Sequence, residues 1–563
     1  MTDDLGARTR AAGDRTWHQV PEPVRRTVRA ATSVEQVVDA MVDDASPWAA
    51  ELQRHLLHPA SGGPAVLVPR TRGRALVLGG ERHALAPALR FLGLDVTRAD
   101  WVGDRLRFQQ LAHPVSGAPA VRVDLPGRLP FSVAAFDLVW VDVAEVLALV
   151  GAGATAGLLA EVERVLARGG TVVAETRDPA RQALDAARRR TLPGAGAVPT
   201  RLLLARAGLV TSERYTLLPR REDWSRLVPR QRLRADLAAT DARTGARRLV
   251  AGALRDLGGS GVLAPDALLL ARRRGEAGAP TTTLAERVAG ARRPDVGALS
   301  DARVSVVGER FVKVPLSADQ QDALGREVAA TREASATGFG PYVLDEVVTS
   351  SHDGLRVADA PLLRARRVTV DEAETVLARA LRAVTPGDAG RPLRTTAVWR
   401  RLASDRGARD CAEIGATDLR DRVLGTYGDL VVPVGPTHGD LHPDNVLVTV
   451  DDAARLVDWN RFEPDNPLVL DAAYAACQVT MARGGSRLAA AVGQLARDEL
   501  RGPLVALATA RQGDLDPVQV ATLVVLDRVV SYSLPRRRHK PWTMPALREA
   551  VRSLLDGAAP ASD

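Results

Sequence analysis

Residues 437–460, THGDLHPDNVLVTVDDAARLVDWN, bring together the residue types with the clearest chemistry in the chain. Asp440 follows a glycine and precedes His442–Pro443, a context that reads as loop. Five residues on, Asn445 begins an extended run, and the DDAA turn returns the chain along RLVDW to Asp458. A hairpin of this form sets Asn445 and Asp458 close together at one end of two paired strands. An amide oxygen and a carboxylate are hard oxygen ligands of the kind Mg²⁺ prefers. Asp440 is left to orient an attacking hydroxyl or accept its proton. The set is the inventory needed for phosphoryl transfer from a nucleotide such as ATP. Two blander readings compete with it. One is a polar turn between strands. The other is a zinc pair, His438 and His442, which needs a helix that Gly439 and Pro443 oppose.

The segment resembles the catalytic loop and metal-binding strand of the aminoglycoside phosphotransferase and choline kinase group, relatives of protein kinases. HGDLHPDN stands where that family has HGDxHxxN. The resemblance implies an α+β two-lobed protein-kinase-like fold. It implies Asp440 as catalytic base, Asn445 and Asp458 as Mg²⁺ ligands, and His438 as a buried organiser of the loop. Asp471, in NPLVLDAAYA, matches the structural acid that braces that loop. Upstream, Lys313 lies in the extended segment RFVKVP and is the only lysine before Lys540. Glu327 follows in the helix-like DALGREVAATREA. By the same resemblance these two form the ion pair that steadies the nucleotide phosphates. VSVVGER (304–310) departs from the family's phosphate-covering loop in having one glycine, and DGLRVADAPL (353–362) is a candidate hinge.

The amino-terminal half has a different rhythm. ALVLGG (75–80), LDVTRAD (94–100), AVRVDL (120–125), FDLVWVDV (136–143) and GTVVAET (170–176) read as strands. They alternate with helical stretches at 83–93 and 157–170, and a late helix and last strand follow in LLLARAGLV (202–210) and ALLLARR (267–273). This alternation predicts a doubly wound α/β sheet. The order DLPGRLPF, FDLVWVDVAEVL, LAEVERVLARGGTVVAE resembles a class I S-adenosylmethionine-dependent methyltransferase, with a Rossmann-like fold, over about 200 residues. The resemblance implies S-adenosylmethionine contacts at Gly79 and Gly80, at Asp100 (ribose hydroxyls) and at Asp124 (near the adenine). The turn itself, LGGERHA (78–84), carries Glu81, Arg82 and His83 where that family prefers small residues. GAGATAG (151–157) imitates a dinucleotide fingerprint but follows the fourth strand rather than the first, and reads as a small-residue loop before a helix.

The 563 residues divide on this reading into a helical extension (1–70), the methyltransferase-like domain (71–275), a Gly-, Pro- and Arg-rich linker (276–300) and the kinase-like domain (301–563). The extension shows Val34, Val37, Val38, Met41 and Val42 at helical spacing. Seventy-four arginines stand against two lysines, yet 68 acidic residues leave a net charge of only +8. The basic runs at 188–190, 272–274 and 536–540 are short, and aromatics are 4% of the chain, so a nucleic-acid-binding stripe is not expected. Two cysteines exclude a disulfide framework. No signal peptide or membrane span is evident, which points to a cytoplasmic enzyme. The expected activity is ATP-dependent phosphorylation of a hydroxyl on a small molecule or glycan. Joining it to a methyltransferase resembles, in domain order, bifunctional enzymes that cap bacterial polysaccharides with a methylated phosphate. The alternative is a non-catalytic, regulatory protein that binds nucleotide or S-adenosylmethionine.

Overall fold

The computed structural model describes residues 22–34, 36–37, 59–69, 71–176 (apart from 81, 83, 114–117 and 126), 200–218, 226–229, 266–276, 282–531 (apart from 300–303, 309, 345–346, 364 and 386–389) and 543–557. The chain divides into two compact units. One takes in residues up to 321 with 351–357, the other 322–350 and 358–563.

In the first unit, β1 (Gly73–Leu78), β2 (Leu94–Asp100), β3 (Ala120–Arg122), β4 (Phe136–Asp142) and β5 (Leu166–Thr176) are parallel, in the order β3–β2–β1–β4–β5. The chain winds outward from β1 in one direction and from β4 in the other, the expected doubly wound arrangement. Helices α1 (Glu22–Ala30), α2 (Leu85–Phe91), α3 (Gly103–Ala112) and α4 (Val143–Val165) belong to this unit. After α5 (Thr200–Arg206) come β6 (Leu209–Leu218), β7 (Arg226–Pro229) and β8 (Ala267–Arg273), with β8 inserted antiparallel between β5 and β6.

Side-chain alternation along each strand feeds two cores. Ala75, Val77, Leu138, Trp140, Leu268 and Leu270 join one. Leu76, Leu78, Val139, Val141, Leu269 and Ala271 join the other. Burial on both faces explains why these strands read as near-continuous apolar runs.

The sequence reading of 151–157 as a loop before a helix changes here. GAGATAG lies inside α4, which kinks at Gly151 (φ 75°), so helix flanks it on both sides. Among the described residues α4 alone is long and apolar enough to cross a membrane. It connects β4 to the adjacent parallel β5 and buries Leu158, Leu159, Val162 and Val165, the position of a crossover helix. The basic run at 272–274 ends a strand, where Arg273 donates to the carbonyls of Glu163 and Leu166. The runs at 188–190 and 536–540 lie outside the described residues, as do Val38, Met41 and Val42. Val34 and Val37 are buried with α1 against Phe108 and Leu111 of α3.

The sheet does not stop at β7. Within 276–300, expected as a linker, the structure has a helix, α6 (Leu284–Ala289), and a strand, β9 (Asp295–Ala298). Helix α6 starts at a reciprocal cap: Thr283 Oγ1 accepts from the Glu286 N–H, and the Glu286 carboxylate accepts from the Thr283 N–H. Leu284, Ala285 and Val288 are buried in the first core, so a Gly/Pro-rich composition concealed a packed helix. Strand β9 pairs with β7, and β10 (Val304–Val307) and β11 (Arg310–Val314) continue the sheet.

Helix α7 spans Ala318–Ser335, followed by β12 (Val348–His352) and β13 (Leu355–Pro361). Their hairpin turns at Asp353 and Gly354, both at positive φ, as a two-residue loop requires. Most of the 353–362 segment, a hinge candidate, is therefore strand β13. In the second unit β14 (Ala365–Arg367), β15 (Val434–Thr437), β16 (Val446–Thr449), β17 (Ala454–Leu456) and β18 (Glu463–Pro467) form short antiparallel pairs. Its core packs them with α8 (Val370–Ala383), α9 (Leu468–Gly484) and α10 (Pro517–Ser531). Cys411 and Cys477 are buried and unbridged.

Candidate active site

Strand β15 delivers the chain to a loop, His438–His442, that runs through a short 3₁₀ turn (Pro443–Asn445) into β16. The β16–β17 hairpin forms as its sequence predicts, with Val446 opposite Leu456. The Val457 N–H donates to the Asn445 carbonyl at 3.0 Å, which sets Asp458 beside Asn445. Asp458 takes φ 69°, a left-handed conformation that an aspartate adopts at a cost of order 1 kcal/mol. The Asn460 Nδ2 donates to its Oδ1 at 2.5 Å. Asn445 is held by its own Nδ2, which donates to the Asp440 carbonyl at 2.9 Å, so the amide nitrogen faces the loop. The amide oxygen is left for another partner. An amide oxygen and a carboxylate on two residues that the hairpin backbone brings together are of the kind that suits a hard dication taking its remaining ligands from phosphate and water. Among the described residues no cluster of three His, Cys, Asp or Glu could hold a metal on its own.

Asp471, on the first turn of α9, braces the loop by two bonds. Its Oδ2 accepts from the His438 N–H at 2.6 Å and its Oδ1 from the Gly439 N–H at 2.9 Å. Burial pushes this carboxyl up to about 6, against the pull of those N–H groups. His438 is fully buried, and burial pushes its imidazole down to about 4. The Asp440 N–H donates to its Nδ1 at 3.3 Å, so the neutral ring donates from Nε2 to the Val457 carbonyl at 3.1 Å. His438 thus ties the loop to the end of the β16–β17 hairpin, and its ring lies 4.4 Å from that of Trp459. A zinc role is incompatible with both nitrogens being engaged and with the non-helical path from 438 to 442. Gly439 has φ 76°, and a Cβ there would lie 2.4 Å from the Arg461 carbonyl oxygen. Gly439→Ala is expected to cost at least about 1–2 kcal/mol, read as a fall of roughly 2–8 °C in thermal unfolding.

The surroundings of Asp440 contain groups that the motif does not reveal. Arg528 of α10 donates from Nη1 to Asp440 Oδ1 at 3.1 Å and from Nη2 to the Gly439 carbonyl. Its guanidinium stacks 4.2 Å from the Tyr474 ring centroid and pairs with Asp527 at 2.7 Å. Asp527 in turn takes Arg401 at 2.7 Å, and Arg401 also pairs with Glu463. The Arg461 Nε stands 3.8 Å from Asp440 Oδ2. Burial opposes ionisation of Asp440, but Arg461 and Arg528 outweigh it and hold the carboxyl well below the usual carboxylate range. A visible signal did exist for Arg528: an Asp–Arg pair in the middle of VQVATLVVLDRVVS, where every residue from Val520 to Val530 is buried. Charges inside an apolar helix must be paired.

Lys313 lies on β11 in register with Ser305, in the first unit. Only two sequence positions, 308 and 309, separate β10 from β11, too few for a glycine-rich run of the family's kind. Glu327 is buried on α7 in the second unit.

The expected S-adenosylmethionine residues lie where the winding of the α/β sheet reverses, the usual place for a ligand in such sheets. Gly79 and Gly80 have φ 65° and 90°, so the turn needs both glycines. Three of its backbone polar groups, however, are already engaged. The Gly79 N–H bonds the Ala99 carbonyl at 2.7 Å, the Gly80 N–H bonds Glu145 at 3.2 Å, and the Gly80 carbonyl accepts from Gln109. The Trp101 ring lies so close that a Cβ on Gly79 would be 2.0 Å from it. Asp100 ends β2 as expected but is 2% exposed, and Arg105 takes both its oxygens at 2.7 and 2.8 Å. Asp124 is exposed. Arg82, a bulky member of the turn, pairs with Glu175 at 2.7 Å, while Glu81 and His83 lie outside the described residues. These residues do not fit S-adenosylmethionine.

Residues 291–504 match the model of the phosphotransferase enzyme family, so the carboxyl-terminal part of the chain carries a domain of that family. The match begins inside the segment expected as linker, shortly before β9. No curated protein matches the chain. Among solved structures, choline kinase LicA from Streptococcus pneumoniae is similar with 10% identity and a TM-score of 0.29, over 45% of this chain and 89% of that one. An S-adenosylmethionine-dependent methyltransferase from Mesorhizobium loti is similar with 17% identity and a TM-score of 0.24, over 41% of this chain and 100% of the other. The YcgJ protein from Bacillus subtilis has 15% identity and a TM-score of 0.24, over 38% and 97%.

Proposed function

We propose that the phosphotransferase-family domain transfers the γ-phosphoryl group of ATP to a hydroxyl of a small molecule or glycan. The observation that carries this reading is one braced loop holding three groups together. Asp440 is ionised beside Arg528, Asn445 is anchored to the Asp440 carbonyl, and Asp458 is set next to Asn445 by the hairpin. Asn445 and Asp458 are the residues that would hold Mg²⁺, which when bound offsets phosphate charge and orients the nucleotide. Asp440 would accept a hydrogen bond from the acceptor hydroxyl and align it for attack. Its depressed pKa makes it a weak base, so its main contribution is orientation, with the proton moving late as the bridging bond forms. Lys313 would bind the nucleotide phosphates, with Glu327 as its orienting partner. The reading implies no step through S-adenosylmethionine.

The test is ATP turnover with a panel of sugar, amino-alcohol and aminoglycoside acceptors, with product phosphorylation followed by mass spectrometry. Acceptor-dependent transfer supports the reading, and its absence across the panel together with an absence of ATP binding rejects it. A finer check uses the metal. Asp458→Asn is expected to raise the Mg²⁺ concentration for half-maximal turnover by about 10–100-fold or more. An unchanged Mg²⁺ requirement would remove Asp458 from the metal site.

A further inference from the structure

We infer that the α/β domain does not bind S-adenosylmethionine: its cofactor cleft is closed by its own side chains, and the domain serves as the platform for the strand that bears Lys313. The closure is a buried clasp. Arg105 is fully buried and spans two acids from different elements, Asp100 at the end of β2 and Glu145 in the first turn of α4, the latter at 2.6 Å. Asp100 Oδ1 also accepts from the Val102 N–H at 2.9 Å, so three of the carboxylate's roughly four acceptor sites are taken within the protein. Glu145 then reaches back to the Gly80 N–H, and the Arg105 guanidinium lies over the Trp101 ring at 5.7 Å. To admit a ribose, Asp100 would have to release a guanidinium that has no water to turn to. Separating such a pair leaves an uncompensated buried charge, which opposes opening. The clasp sets one guanidinium between two carboxylates and holds β2, α3 and α4 together at the point where a ligand would otherwise separate them.

The same sheet has a second use. Strand β9 pairs with β7 through Leu227↔Val296 and Arg226↔Gly297, and β10 and β11 follow it. Arg226 pairs with Asp295 at 3.1 Å, and Arg293 with Glu213 of β6 at 3.5 Å. One hydrophobic cluster runs without a break from Tyr215, Leu217 and Leu227 to Val296, Val304, Val306, Val312 and Val314. Val312 and Val314 flank Lys313, so the side chains that fix its strand pack into the core of the α/β domain.

Two measurements on the full-length chain test this inference, and the first is independent of the phosphotransfer reading. Calorimetric titration with S-adenosylmethionine and S-adenosylhomocysteine is expected to show no binding up to millimolar ligand. Stoichiometric binding that Asp100→Asn weakens would overturn the closed cleft. Hydrogen–deuterium exchange of Leu227→Ala is expected to speed exchange at least tenfold in residues 304–314 as well as in 209–229, with α9 unchanged. Protection retained at 304–314 while 209–229 loosens would overturn the platform role. If Leu227→Ala does not fold, Leu227→Val gives the same readout with a smaller perturbation.

Discussion

Asp440→Ala is expected to lower the rate of phosphoryl transfer to the acceptor by about 10²–10⁴-fold while leaving affinity for ATP within about twofold. The Asp440 carboxylate is held by Arg528 and Arg461, and Asn445 is anchored to the backbone carbonyl of residue 440, so removing the carboxylate is expected to leave Asn445 and Asp458 where they are. What is lost is the acceptor for the hydroxyl hydrogen, and with it the alignment of the attacking oxygen. Asp440→Asn separates the two contributions. It keeps shape and one acceptor oxygen but removes the charge, so it is expected to retain more activity than the alanine variant and to fall well short of the native rate. Equal rates in the native and alanine proteins would remove Asp440 from the reaction.

Arg528→Met carries the second large effect. Arg528 is about 5% exposed, and losing it leaves Asp527 and Asp440 each short of a counter-charge. Breaking a buried pair from one side costs about 3–5 kcal/mol, read from denaturant unfolding. The pH profile separates a role at Asp440 from general loss of stability. In the native protein Arg461 and Arg528 hold the Asp440 carboxyl far below its ordinary value, so it stays ionised across the working range. The stability it contributes is present above the unfolded carboxylate pKa of about 3.9 and is lost only as pH falls through the lower folded value. Without Arg528 burial gains ground and the Asp440 pKa rises. The acid limb of the rate profile is then expected to move to higher pH in Arg528→Met and to return towards the native position in Arg528→Lys. An acid limb that stays in place while stability falls would make Arg528 purely structural.

The sequence made some of this site legible and hid the rest for identifiable reasons. The hairpin carrying Asn445 and Asp458 was readable because strand, turn and return are local, and its register follows from turn length. The parallel sheet was readable because strands buried on both faces leave apolar runs that little else produces. The packed segment at 276–300 was not, because Gly, Pro and Arg there belong to a capped helix and a short strand whose partners lie as far away as Val68 and Leu227. Arg528 is 88 residues from Asp440, and no local pattern reports a contact of that range. Asp100 shows the opposite failure. It stands at the expected strand end, but whether an acid is open to a ligand depends on Arg105, in the first turn of the next helix, and on Glu145 beyond it.

We propose the HGDLHPDN loop and the Asp458 hairpin as one Mg²⁺–nucleotide site. It is tested most directly by calorimetric titration of the full-length protein with a non-hydrolysable ATP analogue, with and without Mg²⁺, alongside Asp458→Asn. One-to-one binding that tightens with Mg²⁺ is expected in the native protein, with that dependence lost in the variant. Absence of nucleotide binding, or binding indifferent to both Mg²⁺ and Asp458, would contradict it.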